Sequence, residues 1–400
     1  MDHAYETYNS DNVHNTKFTW FSEECFDSSF LFDCKGCSNC FGCINLRNKK
    51  YYIWNEPYSK KEYEQKMQEW DLGSYEISKK AMKQFLELYY KTPRRFAWMT
   101  NAVNVTGDNI KNTKNCHHAF GTLDGVENCK YLLMVGLNIK DSYDLTFAGQ
   151  TCELLYENIG SIRNQKTFFC NGGADLIECE YCNTCRESRY LFGCICMRNK
   201  KHCILNKQYS KEEYSALVPK IKQHLNEMPY QDKRGNEYTY GEFFPDEISP
   251  WTYNESYAYQ WFPLTKEEAL QKGYRWRDRE KQNYNTTLEA NDLPNHIKDV
   301  PDTITKEIIE CADKAKCNHN CTEAFKIIPE ELNFYRHSNV ALPRLCPNCR
   351  YGKRIELRTQ PKLWRRKCEN EECENEFETA YSPERKEIIW CQECYNNKFV

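Results

Sequence analysis

The chain has 400 residues, a net charge of −3 and 24 cysteines. That length allows two or three domains, and the near-neutral charge excludes a polycation built to coat nucleic acid along its whole length. The start, MDHAYETYNSDNVHNTK, lacks the basic-then-apolar pattern of a secretory signal, and no apolar run is long enough to span a bilayer. A cytoplasmic setting is therefore expected, where cysteine serves as thiol or metal ligand rather than disulfide.

Residues 1–57 form a first β-repeat segment. The clusters TKFTWF, SSFLFDC, SNCFGC and KKYYIWN follow one another about every twelve residues, with Gly, Asn, Asp and Lys between them. Repetition at a short fixed period suggests a β-solenoid or β-helix, whose rungs bury their faces only by stacking. Two beats would make a rung of 24 residues, and a meander of antiparallel hairpins is the rival arrangement. The run Cys34-x2-Cys37-x2-Cys40-x2-Cys43 lacks the final x3 spacing and proline of a ferredoxin cluster motif. A spacing of three places consecutive cysteines on opposite faces of an ordinary strand. Small buried packing residues, a further metal site and a cluster all remain open for them and for Cys179, Cys182 and Cys185.

Residues 58–94 read as a helical excursion opened by the capping box Ser59-Lys60-Lys61-Glu62 and running toward Tyr90. Residues 95–228 hold a second β-repeat segment and a capping helix. Residues 41–67 recur there at 192–218, with 15 of 27 positions identical at an offset of 151 and no gap. The second copy carries its own box, Ser210-Lys211-Glu212-Glu213. Asp141, Asp144, Asp175, Glu178 and Glu180, with His117 and His118, are the acids and bases a carbohydrate-active β-helix enzyme would draw on. No catalytic residue is assigned, because acids are equally ordinary at turns, and no nucleophile elbow, P-loop or dinucleotide-binding fingerprint is present.

Residues 229–300 form an aromatic-rich linker or wrapping region, with a short helix capped at Thr265 and stopped at Gly273. Trp251, Tyr253, Tyr257, Trp261 and Trp276 are expected to cover the end of the repeats or to offer a stacking surface.

Residues 301–400 carry paired cysteine brackets. Cys317, Cys321, Cys346 and Cys349 form one set; Cys368, Cys373, Cys391 and Cys394 form the other. Two close pairs separated by a strand-forming stretch set four thiolates at the corners of a tetrahedron, the arrangement of a structural zinc ion. Two Zn2+ sites are expected, with Cys311 and His319 as competitors for a place in the first. Thiolates at all four positions leave none for substrate. Between Pro343 and Lys367 stand nine basic residues and one acid, among them Arg350, Lys353, Arg354, Arg358, Arg365 and Arg366. With Tyr351 and Trp364 interleaved, this stretch is the expected contact for nucleic acid or a ribonucleoprotein.

CNHNCTEAFKIIPEELNFYRHSNVALPRLCPNCRYGKR and LWRRKCENEECENEFETAYSPERKEIIWCQECY resemble the zinc-ribbon module of a Cys-rich protein family of small-genome uncultivated bacteria. The FGC-x3-RNKK and SPWTYNESYAYQWFPLTKEEALQKGYRW blocks are similar to the same proteins. The resemblance implies architecture and zinc and brings no established activity.

The sequence thus leads to a mainly β protein with helical insertions, duplicated β-solenoid-like repeats and a C-terminal double zinc ribbon. Its expected role is a non-enzymatic interaction or scaffold protein docking on nucleic acid. A protein–protein scaffold using the flank of the repeats and a carbohydrate-active enzyme are the alternatives. No membrane association is expected.

Overall fold

A computed structural model describes residues 2–278 and 284–400. The part of the aromatic-rich region at 279–283 lies outside the described residues. The protein is mainly β, with eight α-helices among the described residues.

The first sheet runs β1 (Asp2–Tyr5), β2 (His14–Trp20), β3 (Phe26–Phe32), β4 (Ser38–Ile44), β5 (Lys50–Ile53) and β6 (Glu56–Pro57) in sequence order. Its first five strands pair in parallel, Asp2 with His14, His14 with Phe26, Phe26 with Ser38 and Ser38 with Lys50. One beat of twelve residues, not two, is therefore the repeat, and the pairing is parallel rather than a hairpin meander.

The local cause is a three-residue rhythm. Asn12, Asn15, Phe18, Phe21, Glu24, Asp27, Phe30 and Asp33 all have φ between 45° and 57°. The residue after each, Val13, Thr16, Thr19, Ser22, Cys25, Ser28, Leu31 and Cys34, is buried. Each left-handed residue turns the chain, so every third side chain points inward. This overturns the expectation for the cysteines: Cys34, Cys37, Cys40 and Cys43 all face the interior, because the period is three and not two. The left-handed conformation explains the asparagines at these corners, since Asn tolerates it better than most residues.

The interior is narrow and suits small polar side chains. Ser22 Oγ donates to the Trp20 carbonyl (3.0 Å) and accepts from the Cys34 amide (3.1 Å). Ser28 repeats the pattern with Phe26 (2.7 Å) and Cys40 (3.0 Å). The Cys34 thiol lies 3.6 Å from the Phe32 carbonyl and 3.4 Å from the Cys43 carbonyl in the following repeat. These buried hydroxyls and thiols thus have partners, as an interior demands, whereas the buried Thr16 hydroxyl has none among the described residues.

A short strand, β7 (Arg94–Arg95), precedes the second sheet, whose own strands are β8 (Met99–Leu133), β9 (Ile139–Lys140), β10 (Tyr143–Thr146), β11 (Cys152–Ile159), β12 (Gln165–Phe168), β13 (Ala174–Glu180), β14 (Arg186–Phe192), β15 (Lys201–Ile204) and β16 (Lys207–Gln208). They lie in the order β10-β8-β9-β11-β12-β13-β14-β15-β16. Here Lys130 pairs with Tyr143 and Tyr143 with Tyr156, then Gln165 with Ile177 and Arg189 with Lys201. The step shortens from thirteen residues to twelve. Along its rim Asn104, Asn115, Asn128 and Asp141 link side chain to side chain at 3.1, 3.1 and 2.9 Å.

The duplicated sequence block is the way each ladder ends. The last parallel strand turns into an antiparallel hairpin, β5–β6 and β15–β16. The carboxamide of Asn55 then accepts from the Ile44 amide (2.8 Å) and donates to its carbonyl (3.0 Å); Asn206 does the same to Ile195 at the same distances. An exposed strand edge is satisfied by a side chain instead of another strand. Both capping boxes form, at Ser59 with Glu62 and at Ser210 with Glu213, opening α1 (Lys60–Met67) and α3 (Lys211–Glu227). The excursion is two helices rather than one, since α2 (Tyr75–Lys91) restarts at a Ser74 cap and lays Ala81, Phe85 and Tyr89 on Trp20, Phe30, Phe32 and Phe41.

The aromatic-rich region contains α4 (Tyr257–Trp261) and α5 (Lys266–Gln271), the latter capped by Thr265 and followed by Gly273 at φ 77°. The rings of this region that lie against the late coils of the second ladder are Tyr240 and Phe244, which meet Tyr181, rather than the five expected ones. Tyr253 stacks on Tyr274 and Tyr259 meets Trp276 edge-on, while Tyr257 alone of the five reaches a ladder ring, Phe147.

The C-terminal part is sewn to the first ladder and the start of the second. β7 pairs in parallel with Ile389–Trp390. Asp33, almost fully buried, receives Arg47 (2.8 Å), Arg95 (3.2 Å) and the Tyr395 hydroxyl. Asp33→Ala leaves two guanidinium groups without their carboxylate. It is expected to cost about 2–3 kcal/mol, read as a lower urea midpoint at unchanged slope; an unchanged midpoint would remove Asp33 as the tie.

Candidate metal centres and the adjoining groove

The first centre is built on a short hairpin, Ile309–Glu310 with Ala324–Phe325, and on α6 (Pro329–His337) and α7 (Pro347–Ile355). Cys311 leaves the first strand and Cys321 approaches the second, so pairing brings the two cysteines together. Cys346 caps α7, with Pro347 at the first helical position, where its missing N–H costs nothing. That turn directs the Cys349 amide at Cys346 Sγ, 3.5 Å away. Cys311, Cys321, Cys346 and Cys349 are all buried, and their sulfurs lie within 4.8 Å of one another.

Backbone amides surround these sulfurs. Cys346 N–H donates to Cys311 (3.2 Å), Thr322 N–H to Cys346 (3.4 Å) and Glu323 N–H to Cys321 (3.3 Å). Hydrogen bonding from the Cys311 thiol, with the Thr322 and Cys349 amides, holds the Cys346 thiol down at about 3 against the opposing effect of burial. A thiolate ready at neutral pH is what a cation needs.

The sequence places Cys317 in this tetrad, and the structure puts Cys311 there instead. Cys317 stands just outside, its sulfur 3.3 Å from that of Cys349. Left-handed residues Lys314, Ala315 and Asn320 carry the chain outward between the two strands. Nearness in sequence favoured Cys317; the strand register Ile309–Phe325 and Glu310–Ala324 favours Cys311. His319 also lies apart, its Nε2 2.9 Å from Glu356.

The second centre joins Cys368, Cys373, Cys391 and Cys394, the set read from the sequence. The antiparallel strands Trp364–Lys367 and Glu376–Thr379 carry Cys368 and Cys373 at and within their turn. Cys391 caps α8 (Gln392–Phe399), and Cys394 follows in its first turn. Cys391 N–H donates to Cys368 (3.2 Å), and the Asn370 carboxamide donates to Cys394 (3.2 Å). Burial opposes ionisation of Cys391 most strongly, yet the Cys394 amide and Asn375 bring it to about 7.

The cysteines of the ladders behave otherwise. Cys179, Cys182 and Cys185 are buried, each thiol directed at backbone carbonyls, as are Cys34 to Cys43. Among the described residues they form no group with three donor atoms inside 4.8 Å.

The six basic residues are drawn into the molecule's own contacts. Arg350 meets Glu331 (3.4 Å) and the Tyr335 hydroxyl (3.1 Å), Arg354 pairs with Glu6, and Arg366 pairs with Glu369 (2.9 Å). Lys353 lies 3.9 Å from Asp313, and the exposed Arg365 lies 2.6 Å from Glu376. Arg358 donates to the Gln260 carbonyl (2.6 Å) and stacks 3.5 Å above the Trp261 ring. Antiparallel pairing sets the basic strand 364–367 against the acidic strand 376–379, which offsets charge that looks concentrated in sequence.

Around Arg358 opens a groove of about 820 Å3 between α4 and α7, lined by Tyr259, Trp261, Tyr351 and Trp364 with Arg358 and Arg385. Sequence reasoning singled out Trp261, Tyr351 and Trp364 in two separate regions and missed Tyr259; only the packing of 257–263 on the first cysteine module puts them in one cleft, through Tyr351 to Gln260 (3.2 Å) and Tyr259 to the Asn318 carbonyl (2.7 Å).

The acids of the second ladder sit on its outer side in ordinary pairs. Asp175 binds Arg163 (2.7 Å), Glu178 lies 3.6 Å from Lys166, and Glu180 is held by Lys222 (2.6 Å) and Tyr240 (2.9 Å). Asp141 accepts from Asn128, burial raises the Asp144 carboxyl, and His118 stacks on Tyr131 beside His117 in the sequence. No helix among the described residues is long and apolar enough to cross a membrane.

Comparison with family models, with curated proteins and with solved structures returned no match for this chain.

Proposed function

We propose that this protein is a non-enzymatic zinc-binding scaffold whose aromatic groove takes a single-stranded nucleic-acid segment. Its two cysteine tetrads hold structural zinc: four thiolates with N–H donors, all buried in the first tetrad and two of four buried in the second, are the chemistry that ion selects, and they leave no open position. The parallel ladders are coils of a β-solenoid, each coil one twelve- or thirteen-residue repeat stacked on the next.

The observation that carries the docking reading is the groove itself. Four aromatic rings stand beside Arg358, set by a carbonyl and the Trp261 ring face, and Arg385, set by two carbonyls and an ion pair with Glu387 (2.6 Å). Bases stack on such rings without sequence preference, and guanidinium groups meet the phosphates. Lys362, 5.2 Å from the Trp364 centroid, adds a charge at the mouth.

Fluorescence anisotropy with labelled single-stranded RNA and DNA tests this. Tyr351→Ala and Trp364→Ala are each expected to weaken binding by about 1–3 kcal/mol, with metal content unchanged and affinity falling as salt rises. Wild-type protein that binds neither oligonucleotide, or variants that bind as tightly as wild type, would reject the groove.

A second reading, a protein–protein scaffold, is favoured by the flank of the second ladder, where Tyr131, Met134, Tyr143 and Leu154 are exposed. It prevails if no oligonucleotide binds and Tyr131→Asp with Tyr143→Asp abolishes retention of a co-purifying partner.

A further inference from the structure

The fifth cysteine of the first module has a setting of its own. Cys317 Sγ, Cys349 Sγ and a carboxylate oxygen of Asp313 lie within 4.8 Å of one another. Cys349 belongs to this trio and to the tetrad at once. The two sulfurs are 3.3 Å apart, a separation two ligands of one ion can have. Asp313 Oδ2 is buried and has no hydrogen-bond partner, while Oδ1 lies 3.9 Å from Lys353 Nζ. A carboxylate oxygen withdrawn from water without a donor is costly. The loop holds it there nonetheless, through Lys314 N–H to the Cys311 carbonyl and Lys316 N–H to the Asp313 carbonyl, both at 2.8 Å.

We propose that Asp313, Cys317 and Cys349 hold an additional zinc-class cation, with the Cys349 thiolate bridging it to the ion of the tetrad. This rests on the reading that the tetrads bind metal. The donor set, two thiolates and one carboxylate, suits a borderline divalent ion such as zinc. A cation here supplies the missing partner of Asp313 Oδ2 and gives Cys317, which the tetrad does not use, a role. Asp313 and Cys317 are half-buried, and three protein donors leave one place of a four-coordinate ion to water, unlike the closed tetrads.

Elemental analysis of the full chain, purified anaerobically in a thiol-reducing buffer and dialysed against zinc, counts the ions. Three per chain are expected for wild type, and two for Cys317→Ser and for Asp313→Asn. Two per chain in wild type overturns the extra site while leaving the tetrads standing; fewer than two overturns the tetrads themselves. Three in wild type that stay three in both variants also overturns it. Substitution with cadmium-113 reads the bridge separately: two of the three resonances are expected to show mutual coupling through the shared sulfur, and three uncoupled resonances overturn the bridge.

Discussion

Cys391→Ser is expected to melt the last module and to release one metal ion per chain. Cys391 has three tasks. It is a ligand of the second tetrad, it caps α8, and its amide donates to Cys368. The module has little apolar core of its own: Ala380, Tyr381, Ile389 and Tyr395 are its buried apolar and aromatic side chains apart from the cysteines. A structural zinc site contributes about 10–16 kcal/mol of apparent binding free energy, against about 5–15 kcal/mol for the net stability of a whole domain. Losing one thiolate of four therefore outweighs what the remaining contacts supply. Amide hydrogen exchange should show protection lost from 364–399, while 14–53 and 126–204 keep theirs. The release of Tyr395 would then withdraw one of the three donors to Asp33. The first module, with Ile309, Ile327, Leu332, Tyr335 and Leu342 buried around its cysteines, should keep its protection in the same variant. Unchanged protection of α8 in Cys391→Ser would show that packing alone holds the module.

Phe85→Ala is expected to cost about 3–5 kcal/mol by opening the joint between α2 and the first ladder. Phe85 is fully buried, its ring 5.2 Å from Trp20 and 5.8 Å from Phe30, with Tyr89 one turn further on. The outward aromatic residues of the ladder, Trp20, Phe30, Phe32 and Phe41, share one buried cluster with this excursion, to which Trp98 and Leu357 also add. Removing the central ring leaves a cavity that neighbours on a regular ladder cannot shift to fill, because each is tied to the repeats on either side. Equilibrium urea unfolding of wild type and variant measures the difference. A loss below about 1 kcal/mol would mean that α2 is an appendage rather than the outer wall of the first ladder.

Much of this protein is legible along the chain. The twelve-residue beat, both capping boxes, the Thr265 helix and the second cysteine tetrad all appear in the structure where local spacing places them. The expectation that Cys34 to Cys43 alternate between faces came from applying the two-residue alternation of an extended strand, whereas their reading as small packing residues agrees with their burial. The run of left-handed residues at every third position, unusual for side chains such as Phe18, Phe21 and Phe30, replaces that alternation. The asparagines and aspartates at many of those corners were the available signal.

What the sequence by itself determined is what short-range chemistry controls: which residues turn the chain, which cap helices, and, at Cys346 with Cys349 and Cys391 with Cys394, which cysteines a helix start brings together. Ser59 and Glu62 satisfy each other across three residues, and no distant segment is needed. Tertiary structure alone decided the rest. Cys311 replaces Cys317 because strand register, not sequence distance, sets which sulfur reaches the centre. The basic stretch is offset because Arg354 meets Glu6 and Arg366 meets Glu369 once the chain has folded. Tyr259 and Trp364 share one groove although about a hundred residues separate them. Charge, stacking and ligand geometry act over a few ångströms of space, and folding decides which residues come that close.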